Sequence, residues 1–182
     1  MKFLISKSLF RVLGVATLMG LPFQSHAAYD MYLSFTAVGG GAPSSLIPIN
    51  SIQWGAGRGI GSPVGGTRTV SAPSFSEVTI TKMMDSSSPN LAMQAANGPG
   101  TATCVLTIQD HNTGNALYTL TLNHVYISGY SVSTGGGVPS ESLSLNYTQI
   151  TWVYQALDGS GNPLGKASSP LGWDLAKQVQ YP

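Results

Sequence analysis

The stretch LSLNYTQITWVYQ, Leu143 to Gln155, decides the fold. Leu143, Leu145 and Tyr147 alternate with polar residues, the period of a strand with one buried face. The apolar set then changes phase and continues at Ile150, Trp152 and Tyr154. In a regular strand that slip would send the second set to the opposite face. One extra residue keeps both sets inward and bends the sheet, which is how strands turn the corner of a barrel.

The same slip recurs upstream. Tyr118, Leu120 and Leu122 share a face, after which the apolar positions move to Val125 and Ile127. In FSEVTITKM, Phe75 is out of phase with Val78 and Ile80, which reads as a bulge. TATCVLTIQD places Ala102, Cys104, Leu106 and Ile108 on one face and Thr101, Thr103, Val105 and Thr107 on the other. Cys104 is then a small core residue rather than a reactive thiol. YDMYLSF supplies a first strand, LIPINSIQW leads to a second ending near Trp54, and DHNTGN, Asp110 to Asn115, reads as a hairpin turn. One segment carries helical punctuation: Ser88 to cap, Pro89 in the first turn, Leu91, Ala92, Ala95 and Ala96 along it, and Gly98 to end it in a left-handed conformation. The pattern predicts an all-β chain with a lone helix. Gly55 to Ser74, GAGRGIGSPVGGTRTVSAPS, shows no regular pattern and reads as a long flexible loop of the kind that carries function.

The N-terminus has a different character. Lys2, Lys7 and Arg11 precede an uncharged apolar run from Val12 to Phe23, and Ser25-His26-Ala27 supplies small residues at its end. This is the layout of a secretory signal peptide over residues 1–27, cleaved between Ala27 and Ala28. A membrane-spanning helix needs about 20 apolar residues; this run is shorter and holds Gly14, Gly20 and Pro22. No Cys follows the small residues to take a lipid. Residues 28–182 then form one domain of 155 residues, with five basic residues against seven acidic and a formal net charge of −2. No further apolar span and no basic stripe remain, so neither a membrane nor a nucleic acid is an expected partner. Twelve charges are few for a surface on which about a quarter of residues are usually charged. Ser, Thr, Asn and Gly, or a neighbouring subunit, must cover the rest.

The motifs that could carry chemistry do not complete themselves. Gly55 to Gly61 has Gly at every second position, but a dinucleotide loop needs Gly where Ile60 stands, and no helix follows. DGSGN, Asp158 to Asn162, begins like a calcium loop, but Pro163 occupies the position of the turn glycine and Ser169 that of the closing acid, so it reads as a turn. His111 and His124 lie apart with no Cys pair, the acids are scattered, and no G-x-S-x-G elbow places a serine. No cofactor, metal or catalytic residue is expected, and enzyme activity is disfavoured.

The motifs together resemble the haemolysin-coregulated protein family, Hcp, the tube subunit of type VI secretion systems. The resemblance is carried by LSLNYTQITWVYQ, DGSGN and the ending Gly172-Trp173-Asp174. Earlier parts of it are AYDMYL, SIQWG, FSEVTITKMMDSSSPNLAMQAANG and YTLTLNHVYISGYSVS. It implies a small β-barrel of two packed antiparallel sheets with one flanking α-helix. It also implies homohexameric rings that stack into a tube driven by a contractile sheath, with effector proteins in the lumen. By position, Gly55 to Ser74 matches the family's extended ring-stacking loop, with Gly55, Arg58, Gly61, Val64, Arg68 and Val70 as the residues expected to serve there. The leader departs from the family, whose tubes assemble in the cytoplasm. A start at Met31 would delete Ala28-Tyr29-Asp30 from the first strand, so the leader is read as genuine and assembly is expected in the periplasm or outside the cell. The alternative is an exported ring that acts as a binding or carrier module.

Overall fold

The computed structural model describes residues 28–36, 46–62, 64–98 and 100–181. The expected leader and Ala27 lie outside the described residues. The strands are β1 (Tyr29–Thr36), β2 (Ile47–Pro48), β3 (Ser51–Gln53), β4 (Ala56–Gly57), β5 (Ser74–Phe75), β6 (Val78–Met83), β7 (Thr101–Asp110), β8 (Ala116–Ser133), β9 (Ser140–Asn146), β10 (Gln149–Tyr154), β11 (Leu171–Asp174) and β12 (Val179–Tyr181). The helix α1 spans Ser88–Asn97.

Every pairing is antiparallel, and β8 organises them. Its first half lies between β7 and β10, and its second half pairs with β9. From β7 the ladder runs on to β1 and β2, and from β9 to β6 and β3. The short link between β2 and β3 crosses from one sheet to the other: Ile49 N–H donates to Met31 O at 3.0 Å and Asn50 N–H to Thr81 O at 2.7 Å. The two sheets are thus joined at both sides, which closes the barrel, and β10, β11 and β12 continue beyond β8 as a flange.

The corner in β8 falls at the phase slip. His124 takes φ 54°, Leu122 and Val125 both stay buried, and His124 Nδ1 lies 2.8 Å from Thr148 Oγ1. The opposite chain turns at the same level by breaking rather than bulging. β9 ends at Asn146, β10 starts at Gln149, and Thr148 N–H donates to Asn123 O between them. Both apolar sets face the core, with Leu143, Leu145 and Ile150 at 0 % exposure. A second slip, not read from the sequence, shifts the β8–β9 register between Ile127 and Gly129 and turns Tyr130 towards the core. The Phe75 slip is likewise a break: Phe75 ends β5, and β6 begins at Val78.

Helix α1 packs on β8 through Leu91 and Ala95. Two expectations about its ends are corrected. Ser88 is its first residue rather than its cap, and its buried hydroxyl serves Lys82 and the Asp85 N–H instead. Gly98 follows the helix with φ −61°, in extended rather than left-handed backbone. Cys104 lies in the core as expected, and burial pushes its thiol up, away from the reactive thiolate.

Candidate functional site

The sequence from Gly55 to Ser76 forms an antiparallel arm, not the flexible loop expected. Ala56 pairs with Phe75 and Gly57 with Ser74 at its base. Further out, Ser71 N–H donates to Gly59 O at 2.9 Å and Gly59 N–H to Ser71 Oγ at 2.7 Å. Ile60 then bridges to Val70, and Gly61 N–H donates to Thr69 O at 2.8 Å. A 3-10 turn at Val64–Gly66 reverses the chain, with Gly65 at φ 79° and Gly66 at φ 90°. The sequence hid this ladder because Gly, Ser and Thr make most of its bonds, by backbone and hydroxyl, and its apolar pairs, Ala56 with Phe75 and Ile60 with Val70, are too far apart to set a period. Gly61 is required by close approach, since a Cβ there would run into the Thr69 hydroxyl.

The structure places the six expected loop residues along this arm. Gly55 lies at the root, Arg58 next to Gly59, Gly61 and Val70 in the outer ladder, Arg68 on the returning side, and Val64 opens the tip turn. Arg58 and Arg68 are exposed and, among the described residues, take part in no ion pair. Ile60 and Val70, opposite one another, are 58 % and 51 % exposed.

The root is fixed on three sides. Gly55 and Ser76 exchange hydrogen bonds at 2.9 Å, Tyr147 O–H donates to Ser76 O at 2.9 Å, and Asn146 Nδ2 donates to Glu77 Oε1 at 3.0 Å. An aromatic stack runs from the root into the flange. Trp54 lies 5.4 Å from Trp152, while Phe75 lies 6.2 Å from Trp152 and 6.4 Å from Trp173, all near parallel. Such offset stacking adds to the area that the rings bury. The arm's direction is therefore tied to β10 and β11.

A second cluster was missed in the sequence. Lys82 Nζ is completely buried and lies 3.0 Å from Glu141 Oε2, 2.9 Å from Asp85 Oδ1, 2.8 Å from Met83 O and 3.2 Å from Ser88 Oγ. Tyr130 O–H donates to the other Glu141 oxygen at 2.7 Å. Acids that look scattered in sequence thus converge on one ammonium. Burial pushes the Glu141 carboxyl up, but hydrogen bonds from Ser88, Tyr130 and Lys82 outweigh it and hold the group below the ordinary carboxylate range. In Asp85 burial is likewise outweighed by Ser87 and Lys82. Glu141 and Lys82 have no exposed side-chain surface, and through Ser88 the cluster clamps the start of α1 to the sheet.

The other sequence candidates are occupied in turns and pairs. Asp158 Oδ1 accepts the N–H groups of Ser160 and Asn162, as the turn reading expects. His111 Nδ1 lies 2.9 Å from Asp30 Oδ2, and Ala28 O accepts the His111 N–H at 3.2 Å.

Against this geometry, residues 42–154 match the family model described as "Type VI secretion system effector, Hcp". The chain belongs to the Hcp family. Protein hcp1 of Pseudomonas aeruginosa is 31 % identical over 110 residues, which are 57 % of this chain and 66 % of that protein. The chain thus spans just under two-thirds of that relative. A solved structure of a type six secretion system protein superimposes with TM-score 0.72 at 29 % identity, over 85 % of this chain and all of the other. Hcp1 from Salmonella typhimurium superimposes with TM-score 0.63 at 17 % identity, again over 85 % of this chain and all of the other, which is a likeness of fold. The all-β Hcp architecture expected from the sequence is the one observed. Among the described residues, no helix is long and apolar enough to cross a membrane.

Proposed function

We propose that this Hcp-family chain is exported by its N-terminal leader and assembles with copies of itself, outside the cytoplasm, into rings that stack as a tube or fibre. The arm is the observation that carries the reading. A paired, exposed ribbon with two guanidinium groups outside any described ion pair and an open apolar pair projects from a closed barrel, and it matches the family's stacking loop in position. Few charges oppose the approach of identical copies. The number of subunits, six, is carried over from the family, and a lumen able to hold an effector follows once such a ring closes. Ala28 directly precedes β1, so cleavage after Ala27 would leave the barrel whole.

Negative-stain microscopy and sedimentation of the purified protein test the assembly; rings or stacks are expected, and a monomer at high concentration refutes it. Intact mass tests the export. A secreted form beginning at Ala28 supports the leader, and a cytoplasmic form retaining Met1 contradicts it.

A further inference from the structure

Two hollows meet at Trp54. One is a polar cleft of about 460 Å³ that takes in Gln53, Glu77 and Thr79. The other is a groove of about 440 Å³ along Tyr118, Trp152 and Tyr154. Each has the size of a small-ligand site, about 300–1,000 Å³. We propose that the two form one binding site for a neutral oligosaccharide, with Trp54 shared between its halves. The site requires neither ring nor tube, and it gives the barrel a ligand of its own.

The strand register brings the lining together. Gln53 stands opposite Thr79 between β3 and β6, so the two side chains share a face of the sheet. Tyr154 stands opposite Tyr118 between β10 and β8, which sets two phenol rings side by side. Trp54 stacks on Trp152 at 5.4 Å. That contact holds the indole in place before any ligand arrives, so binding does not have to order it.

The lining selects by what it offers and by what it lacks. Among the described residues, the Gln53 amide and the hydroxyls of Thr79, Tyr118 and Tyr154 make no hydrogen bond. Glu77 accepts one, from Asn146 Nδ2 to Oε1, and its Oε2 takes no other among them. A sugar ring has a C–H face that packs on an aromatic ring and a rim of hydroxyls that both donate and accept. An amide, hydroxyls and a carboxylate beside the rings of Trp54, Tyr118, Trp152 and Tyr154 match both surfaces. A wholly apolar ligand would strip water from those polar groups and return no hydrogen bond. An anionic one meets Glu77 and finds no cation among the residues that line either hollow.

Titration of the purified protein with chitotetraose, cellotetraose and maltotetraose tests the site. The chain's tryptophans lie in the stack, so tryptophan emission is the readout. A saturating shift is expected with at least one of the three sugars. Gln53→Ala and Tyr154→Ala change exposed positions and leave the core intact. Each is expected to weaken binding about tenfold through lost hydrogen bonds and ring contact. Tetragalacturonate is expected to give no shift with the wild type and a saturating one with Glu77→Gln. The site is overturned if none of the three neutral sugars saturates, if toluene alone shifts the emission, or if Gln53→Ala binds as the wild type does. Sedimentation of the same samples reads assembly separately. Protein that assembles and binds no sugar overturns the site alone, whereas protein that binds sugar as a monomer upholds the site and overturns the assembly.

Discussion

Lys82 and Glu141 face one another across β6 and β9, Nζ 3.0 Å from Oε2, with neither side chain exposed. Removing one member leaves the other charge buried without its partner, which typically destabilises by about 3–5 kcal/mol. Glu141→Gln and Lys82→Met are each expected to fall in that range by urea denaturation. The double replacement Lys82→Met with Glu141→Leu should regain most of the loss, because an apolar pair of similar volume leaves no charge stranded. Additive losses in the double variant would contradict the pairing.

The same cluster sets the acid limb of stability. Asp85 and Glu141 are held below their ordinary values, so the folded state releases their protons more readily than the unfolded chain. Their contribution is complete above the unfolded values, about 3.9 for Asp and 4.3 for Glu, and is lost as pH falls through the lower folded values. The urea midpoint should therefore be level near neutrality and drop below about pH 4, with a shallower drop in Glu141→Gln. An equal drop in the variant would remove Glu141 from the account.

The alkaline limb has the opposite sign. Burial, then the hydrogen bond to Glu141 and its charge, push the Tyr130 hydroxyl up to about 12, and burial takes Tyr147 to about 12. Their contribution is complete below the free tyrosine value of about 10 and is lost as pH climbs towards the folded values. Tyr147→Phe should flatten part of that decline. It also removes the bond to Ser76 O at the arm root, a loss of about 1 kcal/mol at neutral pH.

Two turns interlock at Gly161, which is buried with φ 79° and whose carbonyl accepts Thr113 Oγ1 and Asn115 Nδ2, each at 2.9 Å. A Cβ there would stand 2.5 Å from Asp110 Oδ1. Gly161→Ala is expected to lower the melting temperature through a loss of about 1–3 kcal/mol, read by circular dichroism. An unchanged melting curve would mean that the two turns do not hold each other.

The chain's three tryptophans all belong to the stack at the arm root. Phe75→Ala removes the ring shared by Trp152 and Trp173, and is expected to destabilise by about 1–3 kcal/mol and to shift the tryptophan emission to the red. Emission unchanged in Phe75→Ala would show that the stack does not depend on it.

Much of this fold could be read from period alone, since inward sets such as Leu120, Leu122, Val125 and Ile127 announce both a strand and its corner. What escaped belongs to pairing at a distance. The arm is held by a ladder whose residues have no apolar period, so nothing in the string distinguishes it from an irregular loop. Lys82 was legible in principle: it continues the inward phase of Val78 and Ile80, as Glu141 begins that of Leu143 and Leu145. Their opposition depends on the β6–β9 register, which joins residues 59 positions apart. The start of α1 escaped for a similar reason. Ser88 has the chemistry of a cap, but the buried ammonium beside it claims the hydroxyl.

The 18-residue strand β8 has a consequence for how the molecule comes apart. Because one strand serves both sheets, there is no seam along which they can part. Melting either sheet strips a ladder from the other, so the barrel should lose its structure in one step. The slowest-exchanging amides should cluster on both sides of His124 and report the same free energy as the whole.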